Sequence, residues 1–292
     1  MDTSIIILTK DVGDNFKPLL ERIFSQKFDG RYEVLVIDSG STDETLSIAK
    51  EFPVKITQIK PEEFHHGKTR NLGAQLSTGD ILVYITQDAL PLSNDWLQKL
   101  VNNFKDSNVA MVCGRQIPWP TTKPPEKSFY FYNFPEHKIV LTVDSWQKSP
   151  DRHRDAMFIS DVNSAIRKNV WEKFKFSQSL IVAEDKEFAK RALFAGWSVV
   201  YEPEAAVYHS HNFSLWSVFR RYLDYGASLD RGVDELLRSD RSLFRIALQS
   251  LDWQIRYLSH NGYLRWLPYA ILYDGSRFLG QLLGEFRGKL AR

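Results

Sequence analysis

Short apolar runs alternate with stretches of helical spacing through the first third of the chain. Ser4-Ile5-Ile6-Ile7-Leu8 is a continuous apolar run and predicts a buried strand. Residues 15–26 then carry Phe16, Leu19, Leu20 and Ile23 at helical spacing. A second strand is predicted at Glu33–Asp38, and Ser39-Gly40-Ser41-Thr42-Asp43 turns into a helix running to about Phe52. Val54–Ile59 alternates like a third strand, and Lys68–Leu76 reads as a short helix. Ile81–Thr86 is the fourth strand, Trp96–Phe104 a helix and Val109–Cys113 the fifth strand. Strands alternating with helices predict an α/β fold, a mostly parallel sheet covered on both faces.

The rhythm breaks over 115–158, where Pro118, Pro120, Pro124, Pro125, Pro135 and Pro150 fall among many aromatics. This predicts a long irregular segment of the kind that forms functional lids. Regular structure is expected again at Asp161–Ile166, in a helix from Asn169 and in one from Ala183 to Ala195 that ends at Gly196. Trp197–Tyr201 and Ala205–Tyr208 read as two further strands. From Ser214 the pattern is helical, with breaks expected near Gly226, Asn261-Gly262 and Gly275. The expected organisation is an α/β domain over 1–213 followed by a helical extension over 214–292.

Composition changes this picture at one place. The chain is 43% hydrophobic and 25% charged, ordinary for a globular protein, and its net charge of +2 does not point to nucleic acid. From Leu215 onward, however, 12 Lys+Arg face 8 Asp+Glu, so this part carries +4 and the remainder −2. A basic, aromatic tail suits a membrane surface or an anionic partner, and it equally suits helices packed on the main domain. The single cysteine, Cys113, permits no internal disulfide and reads as a small buried hydrophobe in a reducing compartment. Met1-Asp2-Thr3 leads directly into a strand with no basic leader. No apolar run reaches the roughly 18–20 residues of a membrane span. The longest candidate, Tyr263–Tyr273, contains Arg265. The expected location is the cytoplasm, with peripheral contact at the inner membrane face through the C-terminal helices.

Five constellations carry candidate chemistry. The fourth strand ends on Asp88, with Pro91 closing the turn. Ligands of open α/β sheets sit beyond the carboxyl ends of strands, and Mg²⁺ binds through one or two carboxylates plus substrate phosphates. Asp88 can therefore join a diphosphate-bearing substrate to its metal, or simply cap a turn. The second strand ends on Asp38 before a small-residue turn, where a carboxylate can meet a pyrimidine imide or ribose hydroxyls, or serve the turn itself. Phe64-His65-His66-Gly67-Lys68-Thr69-Arg70-Asn71-Leu72-Gly73 places basic groups at a helix start, as a cradle for phosphates or a solvated turn. Glu184-Asp185 opens a helix, as a general base or as complement to the helix dipole. Last, His209-Ser210-His211 follows the short strand at 205–208, so His209 can complete the metal's protein ligands opposite Asp88. No G-x-G-x-x-G follows the first strand, which argues against a dinucleotide site.

The order of these elements, from Thr9 through Asp38, His66-Gly67-x-x-Arg70-Asn71-x-Gly73, Thr86-Gln87-Asp88-Ala89-x-Pro91, Glu184-Asp185 and His209, resembles the inverting glycosyltransferases of family 2 with the GT-A fold. The resemblance covers roughly residues 3–212 and is nearest to bacterial rhamnosyltransferases of O-antigen and other surface polysaccharides. It implies a nucleotide-sugar-binding half over 1–114 and an acceptor-side half over 115–213. It implies that Thr9, Asp11, Asp38 and Ser39 line the nucleoside pocket and that Arg70 lies near the diphosphate. Asp88 and His209 would hold Mg²⁺ or Mn²⁺, Asp185 would be the base, and Glu184 would position acceptor or base. The implied donor is dTDP-L-rhamnose and the implied acceptor a polyprenyl-diphosphate-linked glycan. Two departures matter. Thr86 stands where the fold's metal motif usually has a first Asp, which weakens the expected metal grip. Gly262 stands where the Gln-x-x-Arg-Trp signature of processive synthases needs Gln, ahead of Arg265-Trp266, so addition of one or a few sugars is expected. The alternatives are the same fold with a UDP-hexose or UDP-N-acetylhexosamine donor, or a non-catalytic sugar-nucleotide- or glycan-binding module. A nucleotidyltransferase would favour a glycine- and basic-rich loop after the first strand, which Lys10-Asp11-Val12-Gly13-Asp14 fits poorly.

Overall fold

The computed structural model describes residues 1–148, 157–228 and 243–290. Pro150 of the proline-rich stretch lies outside them, as do the last two residues. A nine-stranded sheet forms the spine. Its first half is parallel, in the order β3 (Lys55–Gln58), β2 (Tyr32–Asp38), β1 (Thr3–Thr9), β4 (Ile81–Ile85). Beside β4 comes β8 (Asn163–Arg167), which runs antiparallel to it and to β6 (Val109–Ile117). Next, β9 (Ser198–Tyr208) pairs in parallel with β6, and both β5 (Leu90–Pro91) and β7 (Ile139–Leu141) run antiparallel to β9.

Alternate residues of the central strands feed two cores. Ile5, Ile7, Val34, Val36, Ile81 and Val83 pack with α1 (Phe16–Phe24), α2 (Thr45–Ala49) and α4 (Trp96–Asn102) on one face. Ile6, Ile37, Leu82 and Tyr84 pack with α3 (His66–Leu76) and with two later helices on the other, α7 (Lys168–Phe174) and α8 (Glu184–Phe194). Burial on both faces explains why these strands read as unbroken apolar runs. Cys113 is fully buried, and that burial pushes its thiol pKa up.

Over 115–158 the structure departs from the irregular segment expected. It holds the end of β6, α5 (Pro124–Asn133), β7 and α6 (Val143–Lys148). Pro124 and Pro125 start α5, a position where a missing N–H costs nothing. Likewise β9 is one strand, not two. Gly114 pairs with Glu202 and Gln116 with Val207, so the Glu202-Pro203-Glu204 interruption is an irregularity inside the strand.

The extension consists of α9 (Leu215–Ser228), α10 (Leu243–His260) and α11 (Leu267–Leu290). It packs on the α/β body: Trp253 Nε1–H donates to the Ser128 carbonyl of α5 (3.1 Å), and the Tyr273 hydroxyl bonds Glu126. The break at Asn261-Gly262 is present, whereas α9 passes through Gly226 and α11 through Gly275. Gly226 and Gly284 serve close packing instead. A Cβ on Gly226 would stand 2.3 Å from the Gln281 carbonyl oxygen, and one on Gly284 2.2 Å from that of Leu223.

Candidate active site

The ends of β1 and β2 are knitted together by the residues assigned to the nucleoside pocket. Asp38 is fully buried. Its carboxylate accepts from Thr9 Oγ1 (3.2 Å), the Gly40 and Ser41 N–H groups (3.0 and 2.9 Å) and the Ser41 hydroxyl. Asp38 thus holds the turn's shape from inside. Ser39 Oγ donates to the Thr9 carbonyl (3.0 Å). Asp11, at a φ of 45°, accepts the Thr42 N–H (2.8 Å) and remains exposed at the mouth.

At the end of β4, Gln87 makes two bonds to the Lys10 backbone and ties this strand end to that of β1 (2.8 and 3.2 Å). Asp88 follows and is exposed. Across from it, His209 and His211 project from the chain leaving β9. Residues two apart on an extended chain point the same way, and both imidazoles face the Asp88 carboxylate, with Nε2 at 3.7 and 3.5 Å. The three ligand atoms lie within 4.8 Å of one another. Sequence reasoning named Asp88 and His209 and missed His211; the His-x-His spacing at a strand end was the available signal. His209 Nδ1 bonds Gln116 Oε1 (2.9 Å), so the Nδ1–H tautomer leaves the Nε2 lone pair toward Asp88. Burial pulls the His209 pKa down to about 4 against the pull of Asp88, which keeps the imidazole neutral and able to ligate. One carboxylate and two imidazoles suit Mn²⁺ better than Mg²⁺, which prefers oxygen ligands, with phosphate oxygens completing the shell. Thr86, at the position of the usual first Asp, contributes no ligand to this group.

The third part is the start of α8. Ala183, just before it, adopts the left-handed conformation at φ 68°, which a non-glycine residue holds only when its surroundings enforce it. Glu184 then turns inward and Asp185 toward a cavity of about 220 Å³. Asp185 Oδ2 accepts the Asp161 N–H (3.1 Å). Arg70 lies beneath: it bonds Glu184 and sits 3.2 Å from Asp161, both carboxylates being buried. Burial raises both acids, and Arg70 opposes the rise.

The stretch around Arg70 is therefore turned inward. Asn71 joins α3 to the loop ahead of α8 through the Trp171 indole N–H and both backbone groups of Phe176 (2.9 Å each). A Cβ on Gly67 would fall 2.0 Å from the Ser177 carbonyl oxygen. His65 caps α3. Read from sequence as a phosphate cradle or a solvated turn, this run anchors the loop and helix that present Asp185.

Asp185, His209 and His211 line the same cavity, whose far wall comes from α9 and α11 through Tyr222, Tyr225 and Tyr273. A strand-end cluster that could hold a metal, and a carboxylate lining the same cavity as its two histidines, on this mixed sheet fit an α/β transferase of the GT-A architecture. The chain belongs to glycosyl transferase family 2, whose model matches residues 4–172. It is 32% identical to the O-antigen chain rhamnosyltransferase RfbN of Salmonella typhimurium, over 98% of this chain and 90% of that protein. To the O-antigen chain rhamnosyltransferase WbaN of Salmonella anatum it is 32% identical over 87% and 79%. Among solved structures it resembles the mannosyltransferase PcManGT of Pyrobaculum calidifontis, determined with GDP-Man and Mn²⁺ (TM-score 0.65, 15% identity, 99% of this chain and 87% of that one). Staphylococcus aureus TarS residues 1–349 with UDP-GlcNAc is a further neighbour (TM-score 0.59, 16% identity, 100% and 93%). These structural likenesses concern the fold. The protein is a glycosyltransferase.

Proposed function

We propose that the enzyme moves L-rhamnose from dTDP-L-rhamnose, with inversion, to a hydroxyl of a polyprenyl-diphosphate-linked glycan in O-antigen synthesis. The donor and pathway rest on the near full-length similarity to two O-antigen rhamnosyltransferases. The observation that carries the mechanism is Asp185 sharing one cavity with His209 and His211.

Asp185 accepts the proton of the acceptor hydroxyl, whose oxygen attacks the anomeric carbon from the side opposite the nucleotide. The Asp161 N–H holds one carboxylate oxygen and so orients the base. Glu184 and Arg70 fix the start of α8 from inside. Thr9, Asp11, Asp38 and Ser39 shape the pocket for the nucleoside. A Mg²⁺ or Mn²⁺ ion held by Asp88, His209 and His211 would offset charge on the donor diphosphate. The exposed apolar side chains of the extension, Trp216, Leu272 and Phe286 among them, favour peripheral docking on a membrane where such an acceptor resides. Among the described residues no helix is long and apolar enough to cross a membrane.

Donor turnover tests the reading. With Mn²⁺, dTDP-L-rhamnose should be consumed in preference to UDP-glucose, UDP-N-acetylglucosamine and GDP-mannose. Asp185→Asn should keep donor binding and lose roughly 10²–10⁴-fold in turnover, the usual worth of base catalysis. Preference for a UDP-sugar would overturn the donor, and near-normal turnover in the variant would overturn the base.

A further inference from the structure

Commitment of Arg70 to Glu184 and Asp161 leaves the donor diphosphate without the arginine that the sequence pattern assigned to it. Arg221 stands in the right place. It lies on α9, ten residues after His211 in the chain, and lines the cavity that holds Asp185, His209 and His211. Its guanidinium sits over the Phe213 ring at 5.5 Å, and Phe213 in turn packs on His211 with ring centroids 4.7 Å apart. The stack His211–Phe213–Arg221 thus brings a cation beside the metal-ligand cluster. Arg221 is exposed and makes no ion pair among the described residues.

The other arginine of this cavity is built differently. Arg277 is wedged between the Phe129 and Tyr222 rings (4.1 and 4.8 Å), bonds the Tyr222 hydroxyl (2.5 Å) and pairs with Asp274 (3.5 Å). It braces α11 against α5 and α9. Lys186 is likewise engaged, donating to the Ile159 carbonyl (2.7 Å). Of these three cations, Arg221 alone combines access to the cavity with donors left for an anion. Its charge is also felt by the site: it helps depress His209 and His211, whose larger cause is burial.

We propose that Arg221 is a catalytic residue that binds the diphosphate of the donor and stabilises it as the nucleoside diphosphate departs. This rests on the transferase reading above. As the acceptor oxygen bonds to the anomeric carbon, the bond from that carbon to the β-phosphate oxygen breaks. Its electron pair stays on the phosphate, and the hydroxyl proton goes to Asp185. The negative charge gained by the β-phosphate meets the Arg221 guanidinium, a planar donor suited to phosphate. The C-terminal extension thereby supplies part of the active site, beyond packing and docking.

The test uses the full chain with Mn²⁺ and measures affinity for dTDP and dTMP by calorimetry. Arg221→Ala should weaken dTDP by about tenfold or more, as expected for one charge-assisted hydrogen bond, while dTMP stays within about twofold. Arg221→Lys should recover part of the loss, since lysine restores the charge without the fork. Arg220→Ala, on the neighbouring helix position, should match the wild type. Wild-type-like dTDP affinity in Arg221→Ala would overturn the proposal, as would equal loss of both nucleotides. If the wild type ignores dTDP and binds UDP, the rhamnosyl donor reading fails, and UDP against UMP then decides the role of Arg221.

Discussion

Beneath Asp185, the proposed base, Arg70 faces two buried carboxylates, with Asp185 close by as a third acid. Removing the cation leaves buried charge uncompensated, which typically costs about 3–5 kcal/mol. Arg70→Met should lower stability by that order in urea unfolding; an unchanged midpoint would mean the pairs carry no weight. The excess of acid over base also has a pH signature. Burial, opposed by Arg70 and reinforced by Asp185, pushes Asp161 up to about 7. The folded state therefore holds a proton that the unfolded chain has already released. Stability from this group is present below the ordinary value of 3.8 and is lost as pH rises through about 7. His209 works in the opposite direction, neutral when folded and protonated when unfolded, so its contribution grows from pH 4 to 6.5 and is complete above that. The window from pH 6.5 to 8 isolates the carboxylates. There the wild type should lose stability with rising pH, and Asp161→Asn should flatten the decline. An identical slope in the variant would assign the effect elsewhere.

Element ends, more than individual motifs, assemble the site. The chain leaving β9 presents His209 and His211, and neighbouring β6 supplies Gln116 to hold the His209 ring. Loss of such a supporting hydrogen bond usually costs 10- to 100-fold in metal affinity, by rough precedent. Gln116→Ala should weaken Mn²⁺ binding in the presence of dTDP by about that factor, read by titration with Mn²⁺ as the paramagnetic probe. Unchanged affinity would mean His209 is oriented by packing alone. The parallel half of the sheet was legible in sequence because strands buried on both faces leave continuous apolar runs. Helix α5 was not, since Pro124-Pro125 carries the same letters whether it ends regular structure or starts it. Gly226 suggested a break, yet two helices pressed backbone to backbone also require glycine, and only the partner helix distinguishes the cases; at Gly275 the helix continues with open space where a Cβ would stand. The inward pairing of Arg70 was hidden for a similar reason: its carboxylate partners are 91 and 114 residues away in sequence.

For the whole molecule, the extension has two faces with different work. Its inner face closes the cavity over Asp185, through Tyr222, Tyr225, Tyr273 and Arg277. Removing Trp253–Arg292 would strip α11 and the second half of α10 from α5 and take Tyr273 and Arg277 out of that wall, so truncation cannot separate membrane docking from folding. Point changes on the outer face can. Trp216 and Phe219 stack there at 5.4 Å and share an apolar groove with Ile271, Leu272 and Leu279. Trp216 is 65% and Leu272 58% exposed, so neither supports the core. Exposed Arg220, Arg265 and Arg287 add positive charge to the same extension. Apolar groove and cations together suit an anionic lipid surface. The wild type should co-sediment with vesicles containing phosphatidylglycerol. Trp216→Ser with Leu272→Ser should release it, since each side chain is worth about 1.5–3 kcal/mol when buried. Hydrolysis of a soluble donor should be unaffected, because neither residue lines the catalytic cavity. Equal sedimentation of variant and wild type would remove this groove as the docking face, and loss of donor hydrolysis together with sedimentation would show that it braces the active site instead.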